Sequence, residues 1–465
     1  MATARQFGEV TAGRELHSPL AATEGPENIW TRASTWGLLL LLLYFALAGV
    51  SPFANSPTAT RVVATSSAGG ILADRLSKLI ITLACLFFVL QRHKQVRRLC
   101  TRMKLVTGFP ILALLCSPLS QLPTRTISSS VMLIAGILLL FYMVSLYSVD
   151  QILEIFLVLG AGTIAASIMF ALAFPQYGLD LSGGHDAAWK GIFMAKNYLG
   201  NLALFFLTAA ISYRGRTSFQ RFARVSQMML CLIAIAFSRA ATAYLLTVIY
   251  FAYVITMKML RGFRKKDYFV LCILVFAVFA TASLVIVVWP DFLFSLLGKD
   301  MTLTGRTEIW SAVVDSIAKR PLLGYGYDAF WLGLDGESYR VILAVSWELA
   351  QAQNGFLDVM LEMGFLGLAI VLLIFAFAFR DALVCLWRSS DDSQLRAVEW
   401  YLGIVVLTLI YNMDESFLFV GKQLASMMFL LACVGLRMEW SRLSASSTRR
   451  AGHRLAPATQ ANAVR

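Results

Sequence analysis

Long apolar runs, separated by short polar segments, recur along most of the chain and restrict it to one kind of fold. Each run approaches the roughly 20 residues that an α-helix needs to cross a bilayer. Hydrophobic residues make up 58% of the chain, whereas soluble domains usually contain about 45–50% apolar residues. The sequence therefore predicts an all-α polytopic membrane protein. About 12 transmembrane helices are expected, at about 35–52, 72–90, 104–120, 129–148, 152–174, 197–213, 225–238, 240–257, 268–290, 355–379, 399–413 and 417–436.

Basic residues concentrate in three short segments between these runs, at 91–104, 214–224 and 258–267. Lysine and arginine in short loops are retained on the cytoplasmic side of a membrane. The number of intervening spans then places both termini in the cytoplasm and residues 175–196 and 291–354 on the outer face. The formal net charge of +13 follows this loop pattern, so nucleic-acid binding is not expected.

The predicted organisation has three parts. Residues 1–34 form a cytoplasmic N-terminal segment, 35–436 the transmembrane domain and 437–465 a basic, disordered cytoplasmic tail. The seven cysteines lie in spans or in basic segments, which argues against a disulfide framework. The four histidines have no metal-ligand spacing, so neither a metal nor another cofactor is expected.

Two arginines indicate a functional site. Arg239 interrupts an apolar stretch, where an arginine costs roughly 2.5–3.5 kcal/mol by insertion scales and is therefore usually functional. Arg306 lies in the long outer loop 291–354. Together they favour an anionic, phosphate-bearing lipid ligand. The alternatives are that Arg239 extends to lipid headgroups and that Arg306 pairs with Glu308 or a headgroup.

Apolar residues after Arg306 recur with helical spacing as far as Pro321, which predicts an amphipathic helix lying along the membrane surface. Thr304 and Gly305 are plausible N-cap positions. Arg306 would then lie in the first turn, where free N–H groups favour anions. A diphosphate cradle is therefore expected here, with Gly305 and Thr307 beside Arg306.

An aromatic cluster follows this helix. Gly324 and Gly326 allow a tight turn, and the aromatic residues around them are predicted to form an exposed surface. Such a surface could stack on sugar rings or rest in the lipid interface. Its members are Tyr325, Tyr327, Phe330 and Trp331.

Lys196 and Asn197 lie at the outer end of the sixth predicted span. Lys196 would add a third cation near a diphosphate. The structural alternative is an interfacial lysine followed by a helix-capping asparagine.

The chain resembles the O-antigen ligase and polysaccharide polymerase superfamily, with the greatest likeness to exopolysaccharide polymerases of the succinoglycan type. The resemblance covers roughly residues 190–420, and its most specific piece is "LTGRTEIWSAVVDSIAKRPLLGYGYDAFW" at 303–331. Weaker pieces are "GIFMAKNYLGNLALF" (191–205), "FSRAAT" (237–242) and "AQNGFLDVMLEMGFLGL" (352–368).

The resemblance implies metal-independent glycosyl transfer at the outer face of a bacterial inner membrane. The donor would be a sugar chain on undecaprenyl diphosphate, held by Arg239 and Arg306. The acceptor would be another lipid-linked repeat in a polymerase, or lipid A-core in a ligase. A flippase and a chain-length regulator would be the implied protein partners.

One position departs from the family pattern, because Gln353-Asn354 stands where the family usually has His-Asn. Glutamine can orient an acceptor hydroxyl but cannot take its proton. Other candidate bases are Glu348, Asp358, His185 and Glu415, although Glu415 is also expected to pair with an arginine. A strong base is unnecessary if departure of the diphosphate dominates the barrier. The expected catalytic set is Arg239, Arg306, Gln353 and Glu415, with Asn354 binding substrate.

Polymerisation fits these features best, and the ligase is the nearest alternative. A transporter of lipid-linked oligosaccharide would carry charges deep within several helices, and the chain shows neither internal nor inverted repeats. A non-catalytic assembly subunit remains open because of Gln353. It would tolerate the removal of charge at Arg239 and Arg306.

Overall fold

Helices make up nearly all of the chain that the structure describes. The computed structural model describes residues 32–47, 68–180, 187–261, 306–345, 349–389, 391–421 and 423–455, with side chains throughout except at 68–75, 307 and 445–455. The predicted span at 268–290 therefore lies outside the described residues.

Fifteen α-helices, one 3-10 helix (Ser117–Leu119) and one pair of two-residue antiparallel strands occur in these ranges. The helices are α1 (Ala33–Leu47), α2 (Ala68–Gln91), α3 (His93–Arg102), α4 (Lys104–Leu115), α5 (Pro123–Leu146), α6 (Val149–Ala173), α7 (Pro175–Gly178), α8 (Lys196–Ser212), α9 (Ser218–Ser238), α10 (Ala241–Leu260), α11 (Arg306–Lys319), α12 (Ser338–Val345), α13 (Gly355–Arg388), α14 (Asp392–Tyr411) and α15 (Leu424–Leu455). The strands are β1 (Leu179–Asp180) and β2 (Ala188–Trp189), paired so that Leu179 faces Trp189.

Seven described helices are long and apolar enough to cross a bilayer, namely α5, α6, α9, α10, α13, α14 and the Leu424–Ser444 part of α15. An eighth span results if α2 and α3, which meet at a bend of 100°, count as one. Helices α1 and α4 are apolar but shorter. An all-α polytopic membrane fold is thus what the chain adopts, whereas the figure of about 12 spans stays a prediction.

Helix α8 lies at the centre of the bundle and packs against α6, α9, α10, α14 and α15. It is apolar on all sides, and almost every side chain from Leu199 to Ala210 is buried, as expected for a helix without a solvent face. A Cβ added to Gly200 would lie 2.6 Å from the Ser238 hydroxyl. This close approach brings the beginning of α8 against the turn between α9 and α10.

A second, smaller core joins α11, α12 and the beginning of α13. Ile309, Val313 and Ile317 on α11 pack with Val341 of α12 and Leu361 of α13, among others. The helix predicted at Arg306 is therefore confirmed. Ile309, Val313 and Ile317 on its apolar face are covered by α12 and α13, whereas Val314 is 53% exposed. That this helix lies along the membrane surface stays a prediction.

The aromatic residues after α11 are buried, and the exposed surface expected of them does not form. Tyr325, Tyr327, Phe330 and Trp331 are at most 8% exposed. The Tyr325 hydroxyl donates to the Ser316 carbonyl, and that of Tyr327 to the Phe419 carbonyl. Buried phenols and indoles need such partners, so Tyr325, Tyr327 and Trp331 hold the loop onto the bundle rather than stacking on sugars.

The C-terminal region also differs from its prediction. The sequence predicts a disordered tail from residue 437, whereas α15 continues without a break to Leu455. Glu439 accepts hydrogen bonds from Gln394 of α14 at 2.9 Å and from Arg442 at 2.6 Å. Contacts between α14 and α15 therefore order part of a segment whose composition alone indicated disorder.

Candidate functional site

The connection between α14 and α15 forms the floor of the candidate site. Asn412, which is fully buried, determines its shape. The Asn412 side-chain oxygen accepts the backbone N–H groups of Phe417 and Leu418 at 3.0 and 3.1 Å, and its amide donates to the Thr408 carbonyl at 2.7 Å. One side chain thus satisfies three backbone groups and holds Asp414 and Glu415 on a fixed turn.

The segment preceding α13 lies directly against this turn. Gly355 donates its N–H to the Asn412 carbonyl at 2.8 Å, and the Asn354 N–H donates to the Ser416 hydroxyl at 3.1 Å. The Asn354 side-chain oxygen caps α13 by accepting the backbone N–H groups of Phe356 and Leu357. The substrate-binding role expected of Asn354 is therefore accompanied by a structural one.

Gln353 has a backbone φ of 56°, in the left-handed region that side chains other than glycine rarely adopt. Strain of this kind persists only where the surroundings enforce it, and it is common at functional sites. Here the hydrogen bonds of Asn354 and Gly355 to the α14–α15 turn enforce it. The result is that the Gln353 side chain faces Arg306.

Arg306, the first residue of α11, joins the two segments. One guanidinium nitrogen donates to Asp414, and another lies 3.5 Å from the side-chain oxygen of Gln353. The arginine side chain is 21% exposed and that of Asp414 is 31% exposed. An arginine at the start of a helix, partly accessible and held by one carboxylate, is well placed to bind an anion.

Glu415 is almost completely buried, and both of its oxygens are in use. The Asn197 amide donates to one oxygen at 2.7 Å and the Gln351 amide to the other at 2.6 Å. Burial, and after it the charge of Asp414, raises the pKa of Glu415, while the two amide donors and Arg306 oppose the rise. Asn197 therefore contacts Glu415, and the structure shows no side-chain cap at the start of α8.

The turn between α9 and α10 brings the second arginine to this end of the bundle. Arg239 ends α9 with a φ of 50° and is exposed. Three residues later, the Thr242 hydroxyl donates to the second oxygen of Asp414. Lys196, half-buried, begins α8 one residue before Asn197. The two cations thus belong to helix ends that themselves contact the acidic turn.

The structure brings together most of the residues singled out from the sequence. Arg306, Gln353, Asn354, Glu415 and Asn197 lie in one hydrogen-bonded group, with Arg239 and Lys196 at adjoining helix ends. Gly305, His185 and Glu348 lie outside the described residues, as does the Thr307 side chain.

Asp358, another candidate base, has a structural role. Its carboxylate accepts the Trp331 indole N–H at 2.6 Å and the Ala352 backbone N–H at 3.0 Å. Within the described ranges, no three His, Cys, Asp or Glu side chains are grouped in a way that could hold a metal ion.

Sequence reasoning missed three members of the group, namely Asp414, Thr242 and Gln351. Each lies within three residues of a predicted site residue, so the sequence indicated the correct segment but not these side chains. Sequence alone does not show which of two adjacent carboxylates, Asp414 or Glu415, points at the arginine. That depends on the turn held by Asn412.

A pH dependence of stability follows from Glu415. Below its ordinary pKa of 4.5, the carboxyl is protonated in both folded and unfolded chains, so its burial has no ionisation cost. As pH rises above that value, the unfolded chain loses this proton first, and stability falls until pH passes the raised folded pKa. We expect Glu415→Gln to flatten this decline, measured as the apparent melting midpoint in detergent between pH 4 and 8.

Glu308→Gln provides the matched control, since Glu308 is exposed on α11. It should follow the wild-type curve. A Glu415→Gln protein whose midpoint falls with pH as steeply as that of wild type would contradict the role of Glu415.

Comparison with known proteins finds a family model that matches part of the chain. Residues 225–372 match the family model described as O-antigen ligase. This range runs from α9 through α11 and α12 into α13. It includes Arg239, Arg306, Gln353 and Asn354, whereas the acidic turn lies beyond it.

One relative is similar over part of its length. The exopolysaccharide production protein ExoQ of Rhizobium meliloti (strain 1021) is 26% identical over 243 residues. The match covers 50% of this chain and 54% of that protein, so the chain spans about half the length of this relative.

Proposed function

We propose that the chain is a member of the O-antigen ligase and polysaccharide polymerase superfamily, which the partial matches support, and that it joins lipid-linked repeat units into exopolysaccharide. The donor is an oligosaccharide on undecaprenyl diphosphate, and the reaction takes place at the periplasmic face of a bacterial inner membrane. Both termini lie in the cytoplasm. A flippase that delivers the repeats and a chain-length regulator are the proposed partners.

The observation that carries this proposal is the position of Arg306. Its guanidinium lies at the start of a helix, is partly exposed, and has Asp414 as its anionic partner. A diphosphate carries more charge than one carboxylate and fits the planar guanidinium fork with two oxygens. Arg239 and Lys196, at the adjoining helix ends, supply further positive charge for a ligand that reaches the site from the membrane.

The positive charge matters most when the donor bond breaks. When the bond between the sugar C1 and the diphosphate oxygen breaks, negative charge develops on the leaving group. Cations already positioned around that oxygen lower the barrier without reorganising. Arginine and lysine provide this charge themselves, so the proposed transfer requires neither a metal nor another cofactor.

The remaining side chains suit an acceptor sugar. The Gln353 amide faces Arg306, and Asn354 and Asn197 belong to the same hydrogen-bonded group. Amides both donate to and accept from sugar hydroxyls. Gln353 is proposed to orient the attacking hydroxyl, since it shares Arg306 with Asp414. Asn197 is held toward the site by Glu415.

The name of the relative, an exopolysaccharide production protein, favours a polymerase. The description of the family model favours a second candidate, a ligase that transfers the finished glycan from its lipid to lipid A-core. The two candidates share a donor and a bond-forming step and differ in the acceptor.

Deletion of the gene in its own strain tests the proposal. Lipid-linked sugars are extracted and sized from the deletion strain and from the same strain complemented with wild type. A polymerase predicts single repeat units in the deletion strain and long chains after complementation. Long lipid-linked chains that accumulate in the deletion strain without reaching lipid A-core would establish the ligase instead.

Transport is tested in the same strains. Spheroplasts are treated with a membrane-impermeant reagent that labels sugars on the outer face. The polymerase predicts that single repeats in the deletion strain are labelled, because they have already crossed the membrane. Repeats that stay protected from the reagent would contradict the polymerase and favour a transporter.

A further inference from the structure

Glycosyl transfer to a hydroxyl releases a proton, and few side chains around Arg306 can accept it. Gln351, Gln353, Asn354 and Asn197 carry amides, and amides do not take up protons at ordinary pH. The Thr242 hydroxyl is equally unsuitable. Among the residues that the structure describes in this group, only the carboxylates of Asp414 and Glu415 remain.

Glu415 is poorly placed to act as the base. Each of its oxygens already accepts an amide N–H, from Asn197 and from Gln351, and the residue is 7% exposed. A base must lie within hydrogen-bond reach of the proton that it removes. Glu415 therefore acts as a positioning residue, which fixes two amides at the edge of the site.

Asp414 differs from its neighbour in access and in its partners. Its side chain is 31% exposed, and one of its oxygens accepts a hydrogen bond from Arg306. Under the proposed function, the donor diphosphate takes that same guanidinium. Binding of the donor would thus release one carboxylate oxygen of Asp414, while the other still accepts a hydrogen bond from the Thr242 hydroxyl.

We propose that Asp414 is the general base of the reaction and that it neutralises Arg306 until the donor arrives. This inference rests on the proposed function. The acceptor oxygen forms a bond to C1 of the donor sugar, and the bond from C1 to the diphosphate oxygen breaks with its electron pair on the diphosphate. The acceptor proton passes to Asp414. When the lipid diphosphate leaves, Asp414 gives this proton to water and pairs with Arg306 again.

Two roles for Asp414 can be separated because they predict different effects on donor binding. A purely structural partner of Arg306 would be needed to hold the guanidinium, so its loss would weaken binding of the donor and turnover together. If Asp414 instead competes with the diphosphate for Arg306 and then acts as the base, its loss has opposite effects on donor binding and on turnover. Neutralising Asp414 removes a negative charge that opposes the diphosphate, but it also removes the proton acceptor.

The test uses the full chain, purified into lipid nanodiscs, with undecaprenyl diphosphate as the binding probe and lipid-linked repeats from the deletion strain as substrate. Asp414→Asn should bind the probe about three- to tenfold more tightly, which is the effect of removing one partly screened charge contact. It should extend repeats at least about 100-fold more slowly, the lower end of the contribution of a general base. Asp414→Glu, which keeps a carboxylate, should recover part of the rate.

Asp315→Asn is the control for a change of charge. Asp315 is exposed on α11, the helix that begins with Arg306, and has no place in the proposed machinery. Its probe affinity and rate should match those of wild type.

The outcomes of this experiment are distinct. Asp414→Asn protein that turns over within about twofold of wild type, or that loses probe binding together with turnover, would overturn the role of Asp414 and leave the polymerase in place. If wild type does not extend the repeats, or if Arg306→Ala extends them at the wild-type rate, the proposed function itself fails. Tighter binding combined with loss of turnover in Asp414→Asn supports the proposal.

Discussion

Replacement of Arg306 by alanine is expected to abolish polymer production while the protein remains in the membrane. The change removes a guanidinium that, under the proposed function, binds the departing diphosphate. Loss of one donor aimed at developing negative charge typically lowers the rate about 100- to 1000-fold. Single lipid-linked repeats should accumulate, and these are measured by sizing the lipid-linked sugars of the complemented deletion strain.

Arg306→Lys should show an intermediate effect, because lysine keeps the charge but loses the planar fork that contacts two phosphate oxygens. Arg340→Ala is the matched control, since the Arg340 side chain is 69% exposed on α12 and reaches Glu337 only at 4.0 Å. It should support wild-type polymer. Polymer of normal length and amount from Arg306→Ala would refute the diphosphate role.

A double replacement separates binding of a ligand from pairing within the protein. If Arg306 serves only to neutralise Asp414, removing both charges in Arg306→Ala/Asp414→Asn should restore the binding of undecaprenyl diphosphate that Arg306→Ala lost, because no unpaired carboxylate remains. Under the diphosphate role the double variant still binds this probe weakly. Binding is measured on the purified full chain in lipid nanodiscs, so the loss of turnover expected of Asp414→Asn does not affect the result.

Gly364→Ala is expected to reduce severely the yield of folded protein. Gly364 interrupts α13 with φ 62° and ψ −165°, a region of backbone space that is essentially limited to glycine. A Cβ there would overlap the carbonyl group of Leu322 and lie 2.5 Å from the backbone nitrogen of Leu323. Backbone strain alone costs about 1–3 kcal/mol, and the overlap with main-chain atoms adds to it.

The break at Gly364 is tolerated because the segment 321–326 forms hydrogen bonds with the backbone groups that the broken helix leaves unpaired. Phe365 donates its N–H to the Pro321 carbonyl at 2.7 Å. The Leu361 carbonyl accepts from Tyr325 at 2.8 Å, and the Glu362 carbonyl from Gly326 at 2.9 Å. A side chain at Gly364 would break these hydrogen bonds between the two segments. It would also displace the beginning of α13, which Gln353 precedes by two residues.

Gly162→Ala is the control for this experiment. Gly162 lies within α6, and a Cβ there would meet nothing within 4 Å. Alanine in a helix is favoured over glycine by roughly 1 kcal/mol, so this variant should be at least as stable as wild type. Yield of monodisperse protein in detergent and the apparent melting midpoint are the measurements. An unchanged midpoint for Gly364→Ala would show that the break is not required for folding.

The positions of the helices were largely predictable, because apolar runs of span length leave the backbone no other way to satisfy its polar groups in a membrane. The run predicted at 152–174 is α6, Val149–Ala173, and that at 240–257 is α10, Ala241–Leu260. The break inside α13 was not predicted, since hydrophobicity around Gly364 continues through it.

Burial in the long loop was not predictable from its residues. Tyr325, Tyr327 and Trp331 are equally suited to an interface and to a core, because each has an apolar ring and one polar group. Which of the two they occupy depends on whether partners such as Ser316, Phe419 and Asp358 come within reach. Those partners are distant in sequence or belong to other elements.

The candidate site, too, was predictable from the sequence only in part. Arg239, Arg306, Gln353 and Glu415 could be singled out because charged or polar groups beside apolar spans are costly and seldom incidental. Their assignment to one group, and the pairing of Arg306 with Asp414 rather than with Glu308 or Glu415, required the turn organised by Asn412.

By itself, the sequence determined that this chain is a helical membrane protein, where most of its spans lie and which arginines merit attention, because these depend on local composition and on the cost of polar groups in lipid. Only the tertiary structure decided which carboxylate faces Arg306, which one is buried, and which aromatic rings are covered. Such contacts join α8, α10, α11 and α13 to the α14–α15 turn across as many as 218 residues of the chain. Their geometry depends on packing and on hydrogen bonds between segments, which no local pattern encodes.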